Sequence, residues 1–398
     1  MADTLLTSTI VTREALRILH EKLSFIGTIN HEYSKEYATT GAKIGSSLKI
    51  RKPNRYTIRN GASMSIQDVT ETSETLVMAT QKGVDLDFTS VDLTLKLDDF
   101  SKRIIQPAMA VLATNIEKDV FNVYKEVYNL VGTPGTTPST LKVFLDARTK
   151  LNQFVAPKDT NRCVQIDSVA GGATIDTLKG LFHSSEQIAE QYREGMMGRI
   201  AGFNFYENDV VPVHTNLLQA GTPLVNGASQ TGASLITDGW TANTTIAQGT
   251  VFTLAAVHAV HPETRVAYPF LQQFVVTADA TADGTGNATL SISPSITTSG
   301  ATQTVNASPA DNAALTLVGS ASTTYTQHLA YHRDAFAFVS ADLEMPQNRD
   351  FSARVVYDGI SMRIVKDYAI TTDTFPCRVD VLYGYKCIRP ELAVRIIG

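Results

Sequence analysis

The sequence predicts an α+β chain interrupted by an all-β module. Three observations carry that prediction. Apolar residues recur at three-and-four spacing from Met109 to Val131, which marks a long helix. Strict alternation over Val84–Leu97 and again over Phe375–Tyr383 marks strands before and after it. The 113 residues from Ala220 to His332 hold no lysine and are about 5% charged, against about 23% elsewhere.

Length and composition fit this organisation. At 398 residues the chain exceeds a single core. With 43% hydrophobic and 18% charged residues it is folded rather than disordered. A net charge of −5 argues against a dedicated nucleic-acid binder. Cys163, Cys377 and Cys387 are too few for a disulfide framework and read as small apolar residues in a reducing compartment. Cys377 and Cys387 stand ten apart across Gly384, a spacing that a hairpin brings together, but two thiols make no metal site. The chain opens with Asp3 and no basic-then-apolar leader, and no run of 18 apolar residues occurs. The expectation is a protein that works in the cytoplasm, with no membrane partner.

Residues 1–33 read as an arm. Thr12 caps a short helix with Glu14 in its first turn, and Leu16, Leu19 and Leu23 share one face that needs something to dock on. Residues 34–82 read as an extended loop. From Ala42 to Met64 it carries Lys43, Lys49, Arg51, Lys52, Arg55 and Arg59 and no acid. Leu48 and Ile50 alternate with Lys49 and Arg51, and Tyr56 and Ile58 alternate with Arg55, Thr57 and Arg59. Lys52-Pro53-Asn54-Arg55 supplies a turn between them. The result is a basic β-hairpin that two strands cannot stabilise alone.

The sign of charge then reverses. Over 65–99, eight acids, including Asp85, Asp87, Asp98 and Asp99, face only Lys82 and Lys96. Val84, Leu86 and Phe88 alternate, then Val91 to Leu97 in the opposite phase, so a strand kinks near Thr89-Ser90. Within 83–138, Pro107 opens the long helix, and Gly132 and Pro134 stop it. About 25 residues at ~1.5 Å each give roughly 37 Å.

Residues 139–219 are mixed: a helix over 139–156 capped by Ser139 or Thr140 and stopped by Pro157, a strand at Cys163–Ile166, a helix at Ser185–Glu194 and a strand at Phe203–Tyr206. Residues 220–332 form the β module, a small barrel or sandwich, with runs at Thr250–Val257, Gln273–Ala278, Ala288–Ile292 and Ala314–Val318. Residues 333–398 close the mixed domains. There Phe336, Phe338, Val355, Ile360, Met362, Ile364, Val379, Val381 and Tyr383 lie in alternating strands.

A search for catalytic chemistry finds little. No GxxxxGK[ST], HExxH or GxSxG occurs. "DGTGNA" (Asp283–Ala288) sits between strands as a turn. His258 and His261 point to opposite faces of a strand; His328 and His332 have ligand spacing on a helix but no third ligand beyond Asp334. Paired acids such as Asp85 and Asp87 suit acid–base work, yet a strand so rich in acid reads better as a solvated or partner-facing surface. No cofactor or metal is expected, and no enzyme. The basic stretch suits nucleic acid or a protein neighbour by charge alone. Its hairpin pattern and the acidic segment that follows favour the neighbour, where charge sets register and specificity.

The order of parts resembles the major capsid proteins of tailed phages with the Hong Kong 97-type fold. It is closest to the coat protein family of the Salmonella short-tailed phage P-twenty-two, whose insertion domain is a small β-barrel. "GTVFTLA" (Gly249–Ala255), "LQQFVVTADAT" (Leu271–Thr281), "AYHRDAFAFVSADLEMP" (Ala330–Pro346) and "GISMRIVKDYAITTDTFPCRVDVLYG" (Gly359–Gly384) are similar to that family's text. The resemblance spans nearly the whole chain. It implies an icosahedral phage head built from pentamers and hexamers, assembled as a procapsid in the host bacterial cytoplasm with a scaffolding protein and a portal protein. Packaged double-stranded DNA would touch the shell only by loose, non-specific contact. By position, 38–80 matches the loop that reaches over an adjacent subunit, and 107–131 the spine helix. Candidate inter-subunit contacts are therefore Lys49, Arg51, Lys52, Arg55 and Arg59, with Asp85, Asp87, Asp98 and Asp99 as the acidic counterpart. The charge-poor insertion departs from a family pattern of salt bridges between capsomers. The alternatives are a phage decoration or surface-binding protein with a Ser/Thr-rich β domain, or an enzyme using the acidic strand face.

Overall fold

The periodic run at Pro107 folds as predicted at its start and departs at its end. In the computed structural model, which describes residues 14–19, 23–31, 47–64, 66–67, 71–89, 106–178, 198–216, 221–346, 351–357, 360–372 and 374–397, the α-helix covers Gln106–Val120. Phe121–Glu126 tightens to a 3-10 helix, and Leu130–Gly132 is a strand. At about 1.5 Å per residue the α-helix is roughly 22 Å long, not 37 Å. Val123, Tyr124 and Val127 remain buried, so the apolar stripe continues through geometry that is no longer α. The expected strand at 91–97, Asp98, Asp99 and the expected helix at 185–194 lie outside the described residues.

The described residues of 1–50, 74–121 and 336–386 form one compact unit; those of 51–73, 122–335 and 387–398 form a second. In the first, Thr80–Thr89 runs antiparallel along Thr374–Tyr383. On the other side of the Thr374–Cys387 strand lies Ile360–Lys366, which pairs onward with Phe351–Tyr357. Phe336–Ala341 completes a five-stranded sheet. Of the alternating residues, Phe336, Phe338, Ile360, Met362, Ile364, Val379, Val381 and Tyr383 are buried. Asp119 on the helix takes Lys82 Nζ at 2.6 Å and the Tyr383 hydroxyl at 2.7 Å, fixing helix to sheet.

The arm docks on this same unit. Residues 14–19 are helical and bury Ala15, Leu16, Ile18 and Leu19; Leu23 is buried beyond them. Thr12 lies outside the described residues. Phe25 stacks on Phe121 with centroids 4.2 Å apart, and Glu117 Oε1 accepts the Phe25 N–H at 2.6 Å. Asn30 then bridges to Ala337 as a short parallel ladder.

Cys377 and Cys387 are not hairpin neighbours. Both stand on the uninterrupted Thr374–Cys387 strand, where ten residues span roughly 33 Å. Gly384 does not break that strand. It lets it pass close to the Leu76–Met78 backbone, where any Cβ would strike the Val77 carbonyl.

The second unit carries the central sheet, ordered Leu130–Gly132, Ala393–Ile397, Thr324–His332, Arg162–Ile166, Phe203–Glu207, Arg199–Ile200, with Val213–Thr215 paired on the Thr324 end. The helix Leu141–Gln153 starts after Thr140 and buries Phe144, Ala147 and Leu151. A helix at Ser168–Leu178, absent from the sequence reading, follows the Arg162 strand.

The charge-poor block forms the barrel. Its sheet runs Leu315–Leu317, Val251–Val260, Ala267–Val276, Ala288–Ile296, Gly232–Trp240, Gly221–Val225, and a bridge between Leu224 and Ala314 nearly closes it. Trp240, Phe252, Phe274, Leu235, Leu254 and Leu290 fill it. Few charges are needed because neutral groups satisfy one another: the Trp240 indole N–H donates to Thr237 Oγ1 at 2.8 Å, and Gln230 bonds across the hairpin to Ile236 N at 2.7 Å. The strand Thr324–His332, at the end of the predicted insertion, belongs to the central sheet, paired with Ala393–Ile397 and Arg162–Ile166. His328 and His332 therefore lie on a strand and not on a helix.

Candidate assembly surfaces and the barrel junction

The basic stretch folds differently from a tight hairpin. Ser47–Arg51 pairs with Ser73–Val77, not with 55–59. The reason is burial: Ile50 and Leu76 are both covered, whereas Tyr56 and Ile58 have no floor to pack on. The described residues between, 52–64, 66–67 and 71–72, carry no strand structure. The Gln67 side-chain amide closes the tip of this loop, accepting from Thr57 N–H at 2.9 Å and donating to Thr57 O.

The five candidate cations sit along this loop. Lys49 is exposed on the first strand. Arg51 pairs with Glu71 at 3.2 Å, both well exposed. Lys52 donates its N–H to Thr72 O at 2.8 Å. Arg55 reaches Glu391 at 3.4 Å, beside Arg389. Arg59 hydrogen-bonds the Ser63 carbonyl at 2.9 Å. The exposed Arg51–Glu71 pair contributes about 0–1 kcal/mol, whereas Arg55 reaches a carboxylate that is only 15% exposed. Four large apolar side chains also stand out on the loop: Tyr56, Ile58 (90% exposed), Met64 and Ile66 (each 80%). The sequence reading weighed charge and missed them.

Asp85 and Asp87 project from the Thr80–Thr89 strand, both exposed. Asp85 lies 3.9 Å from Arg378. Arg378 is held more closely by the buried Asp380 at 2.8 Å, which also takes Arg363 at 2.6 Å. Asp380 escaped the sequence reading, because Arg363, its shorter partner, comes from a neighbouring strand.

Side-chain hydrogen bonds and a buried cation join the barrel to the central sheet. The Gln273 amide accepts from Leu130 N–H and donates to Leu130 O, both at 2.9 Å, extending the sheet edge with a side chain. The Tyr268 hydroxyl donates to Gln153 O at 2.8 Å, and Lys150 Nζ sits 4.1 Å from the Phe270 ring centre. Deepest is Arg395, on the last strand and 1% exposed. Its Nε and Nη2 donate to Gln327 Oε1 at 2.8 and 2.6 Å, and Nη1 donates to Gly249 O at 2.6 Å. The Tyr124 ring lies 5.2 Å away. Burial draws this guanidinium down to about 10, so it stays charged at neutral pH. Gly249 has φ +91°, and a Cβ there would sit 3.2 Å from both His214 and Lys125.

His214 completes the junction. Its Nδ1 lies 3.3 Å from the Tyr124 hydroxyl, and its buried Nε2 has no hydrogen-bond partner among the described residues. Burial first, then Arg395 and Lys125, hold the imidazole down to about 3. The unfolded chain takes up that proton near pH 6.5. Stability is therefore expected to fall as pH drops from about 6.5 towards 3, by on the order of 4 kcal/mol across the whole window. Denaturant midpoints from pH 7 to pH 4 check this: His214→Gln should flatten the decline, and an unchanged slope would remove His214 as its cause.

Among the described residues no cluster of His, Cys, Asp and Glu has metal-binding geometry. His261 Nδ1 accepts from Glu263 and Thr264 N–H at 3.1 and 3.2 Å, and His332 meets Asp159 at 3.1 Å. Asp283 of the "DGTGNA" turn takes the N–H groups of Asn287 and Thr285 and the Thr285 hydroxyl, which hold its carboxyl well below the usual range.

An arm, a projecting loop, a helix against a five-stranded sheet, a mixed central sheet and an inserted barrel define a head subunit of the tailed-phage type. The chain belongs to the family described as "P22 coat protein - gene protein 5", whose profile matches residues 28–398. It is a major capsid protein, a structural component of the virion that self-assembles into the icosahedral head. No curated protein matches it. Among solved structures it is similar to one from Mycobacterium phage Che8, at 13% identity over 94% of this chain and 90% of that one, with a TM-score of 0.48. For the capsid of cyanophage P-SCSP1u the values are 10%, 88%, 83% and 0.44. The CUS-3 coat protein I-domain is 24% identical over 25% of this chain and 98% of its own, with a TM-score of 0.20.

Proposed function

We propose that the loop between Arg51 and Ser73 is the element by which one coat subunit grips the next within pentamers and hexamers. Lys49, Arg51, Lys52, Arg55 and Arg59 are its cationic contacts, and Asp85, Asp87, Asp98 and Asp99 the acidic surface they meet. The observation that carries this reading is the loop's make-up. It exposes four large apolar side chains beside a run of cations, of which Arg51 has only an exposed and weak own-chain pair, a combination that marks an interaction site. The subunit acts structurally and performs no catalytic step. Assembly takes place in the host bacterial cytoplasm around a scaffolding protein, with a portal protein at one vertex. Packaged DNA meets the inner wall by loose contact, which the net charge of −5 favours over tight binding.

Charge reversal tests the loop. Arg51→Glu with Arg55→Glu is expected to abolish shells in electron micrographs while the subunit stays folded, because the Arg51–Glu71 pair is exposed and Glu391, 15% exposed, keeps Arg389 at 3.2 Å when Arg55 is reversed. Normal particles from the double variant would refute the reading.

A further inference from the structure

The sequence holds two Asn-Gly pairs, Asn60-Gly61 and Asn226-Gly227. In such a pair no Cβ shields the glycine nitrogen, which can attack the asparagine side chain before it. The two pairs differ in what holds that nitrogen. Gly227 N–H donates to Asp311 Oδ1 at 2.8 Å; Asn226 N–H donates to Ile236 O at 3.0 Å, and Asn226 O accepts from Gln230 at 2.8 Å. Gly61 N–H has no acceptor among the described residues, and Asn60 and Gly61 are both exposed outside any strand. Gly61 has φ +95°, and a Cβ built there would meet nothing within 4 Å, so the backbone has room to turn. The surrounding charge differs as well. The Arg59 guanidinium donates to the Gly61 and Ser63 carbonyls, which sets a cation beside one glycine where the other has a carboxylate. A nearby cation favours the deprotonated nitrogen that attacks, and a carboxylate opposes it.

We propose that Asn60 is a spontaneous deamidation site whose conversion limits how long an unassembled subunit keeps a competent loop. The Gly61 nitrogen loses its proton and bonds to Asn60 Cγ, the Cγ–Nδ2 bond breaks, and Nδ2 leaves as ammonia. Water then opens the cyclic imide at either carbonyl and leaves aspartate or isoaspartate, with no change of oxidation state. The product sets a carboxylate beside Arg59 in the Ala42–Met64 segment, which has six cations and no acid. It offers those cations an anion of their own chain and weakens their attraction to an acidic neighbour. Seating the loop on that neighbour fixes its backbone and slows the reaction. The consequence for assembly rests on the proposed role of the loop; the reaction itself does not.

Peptide mass spectrometry of full-length wild-type subunits, aged in mildly alkaline buffer, tests the site. Asn60 is expected to convert many-fold faster than Asn226, faster still as pH rises, and many-fold more slowly in shells built from fresh subunits. Gly61→Ala should slow the conversion. Asp311→Ala frees the Gly227 N–H and should raise the rate at Asn226; an unchanged rate there would overturn the part given to the free N–H. Asn60→Asp, which installs the product, should lower the yield of shells several-fold in electron micrographs, while Asn60→Gln assembles like wild type. Conversion at Asn60 no faster than at Asn226 would overturn the site. Equal rates in shells and subunits, or normal shells from Asn60→Asp, would overturn its bearing on assembly. If the arginine reversals block shells and Asn60→Asp still forms them, the loop's role stands and only the limit set by Asn60 is wrong.

Discussion

Arg395→Ala is expected to destabilise the soluble subunit by about 3–5 kcal/mol. The side chain is fully buried and has no carboxylate partner among its contacts; its charge is met by Gln327 Oε1, the Gly249 carbonyl and the Tyr124 ring. Truncation removes the packed stem and strips donors from two buried acceptors, each worth about 1–3 kcal/mol when left unmade. Arg395→Met separates the two effects. It keeps an apolar stem, so it should cost less than alanine, yet it still orphans both acceptors. Adding Gln327→Leu removes one of them and should recover about 1–2 kcal/mol of the loss. Denaturant unfolding of the four proteins checks the cycle. The barrel should also loosen first, because Gly249 N–H bonds Val276 O inside it while Gly249 O is the acceptor for Arg395. Hydrogen exchange in the Val251–Val260 and Ala267–Val276 strands is the matching readout. If Arg395→Met were as stable as wild type, the hydrogen bonds would contribute nothing net, and packing alone would seat the barrel.

Much of the fold was legible because burial leaves a periodic trace. The parity of Val379, Val381 and Tyr383, the stripe from Met109 to Val120 and the loss of charge after Ala220 each follow from which face meets water. The misreadings are equally physical. The helix was extended past Val120 because Val123, Tyr124 and Val127 are buried at spacings that suit a 3-10 helix nearly as well as an α-helix. The hairpin's turn was chosen from Pro53, a local signal, but partner choice follows burial. Leu76, some 20 residues on, covers more than Ile58 can. In the helix at Ser168–Leu178, Gly171 and Gly172 weaken the helical signal of the first turns. Its cap was visible, since Asp167 Oδ1 accepts the Ala170 N–H at 2.7 Å.

The site was less legible. The candidate cations announced themselves as a cluster in sequence, and the exposed apolar side chains beside them did not, because exposure is not a property of a local pattern. Arg395, Gln327 and Gly249 lie 68 and 146 positions apart and meet only once the barrel is seated. Nothing in the sequence around Arg395 distinguishes it from an arginine at an exposed strand position.

Asp380→Ala is expected to cost about 3–5 kcal/mol, through the charge it leaves behind. The carboxylate is fully buried, takes Arg363 at 2.6 Å and Arg378 at 2.8 Å, and faces Gly83 across the sheet. Arg363 is mostly covered and would lose its counter-ion; Arg378 is largely exposed and would find water. Arg378→Ala should therefore cost under about 1 kcal/mol. Asp380→Asn keeps the shape and should fall between. Gly83→Ala attacks the same cluster sterically, because its Cβ would lie 2.7 Å from Asp380 Oδ1. Acid separates this cluster from the barrel junction. Burial pushes the Asp380 carboxyl up, but hydrogen bonds from Arg363, Arg378 and Gln81 outweigh it and hold the group below its ordinary 3.8. Its contribution is then present at every pH above about 3.8 and fades only below it. At pH 5 the junction should already have lost stability through His214 while the Asp380 penalty stays at its neutral value. Unfolding of Asp380→Ala and wild type at pH 7 and pH 5 should give the same difference; a difference that shrinks at pH 5 would mean Asp380 is not held as an ion pair.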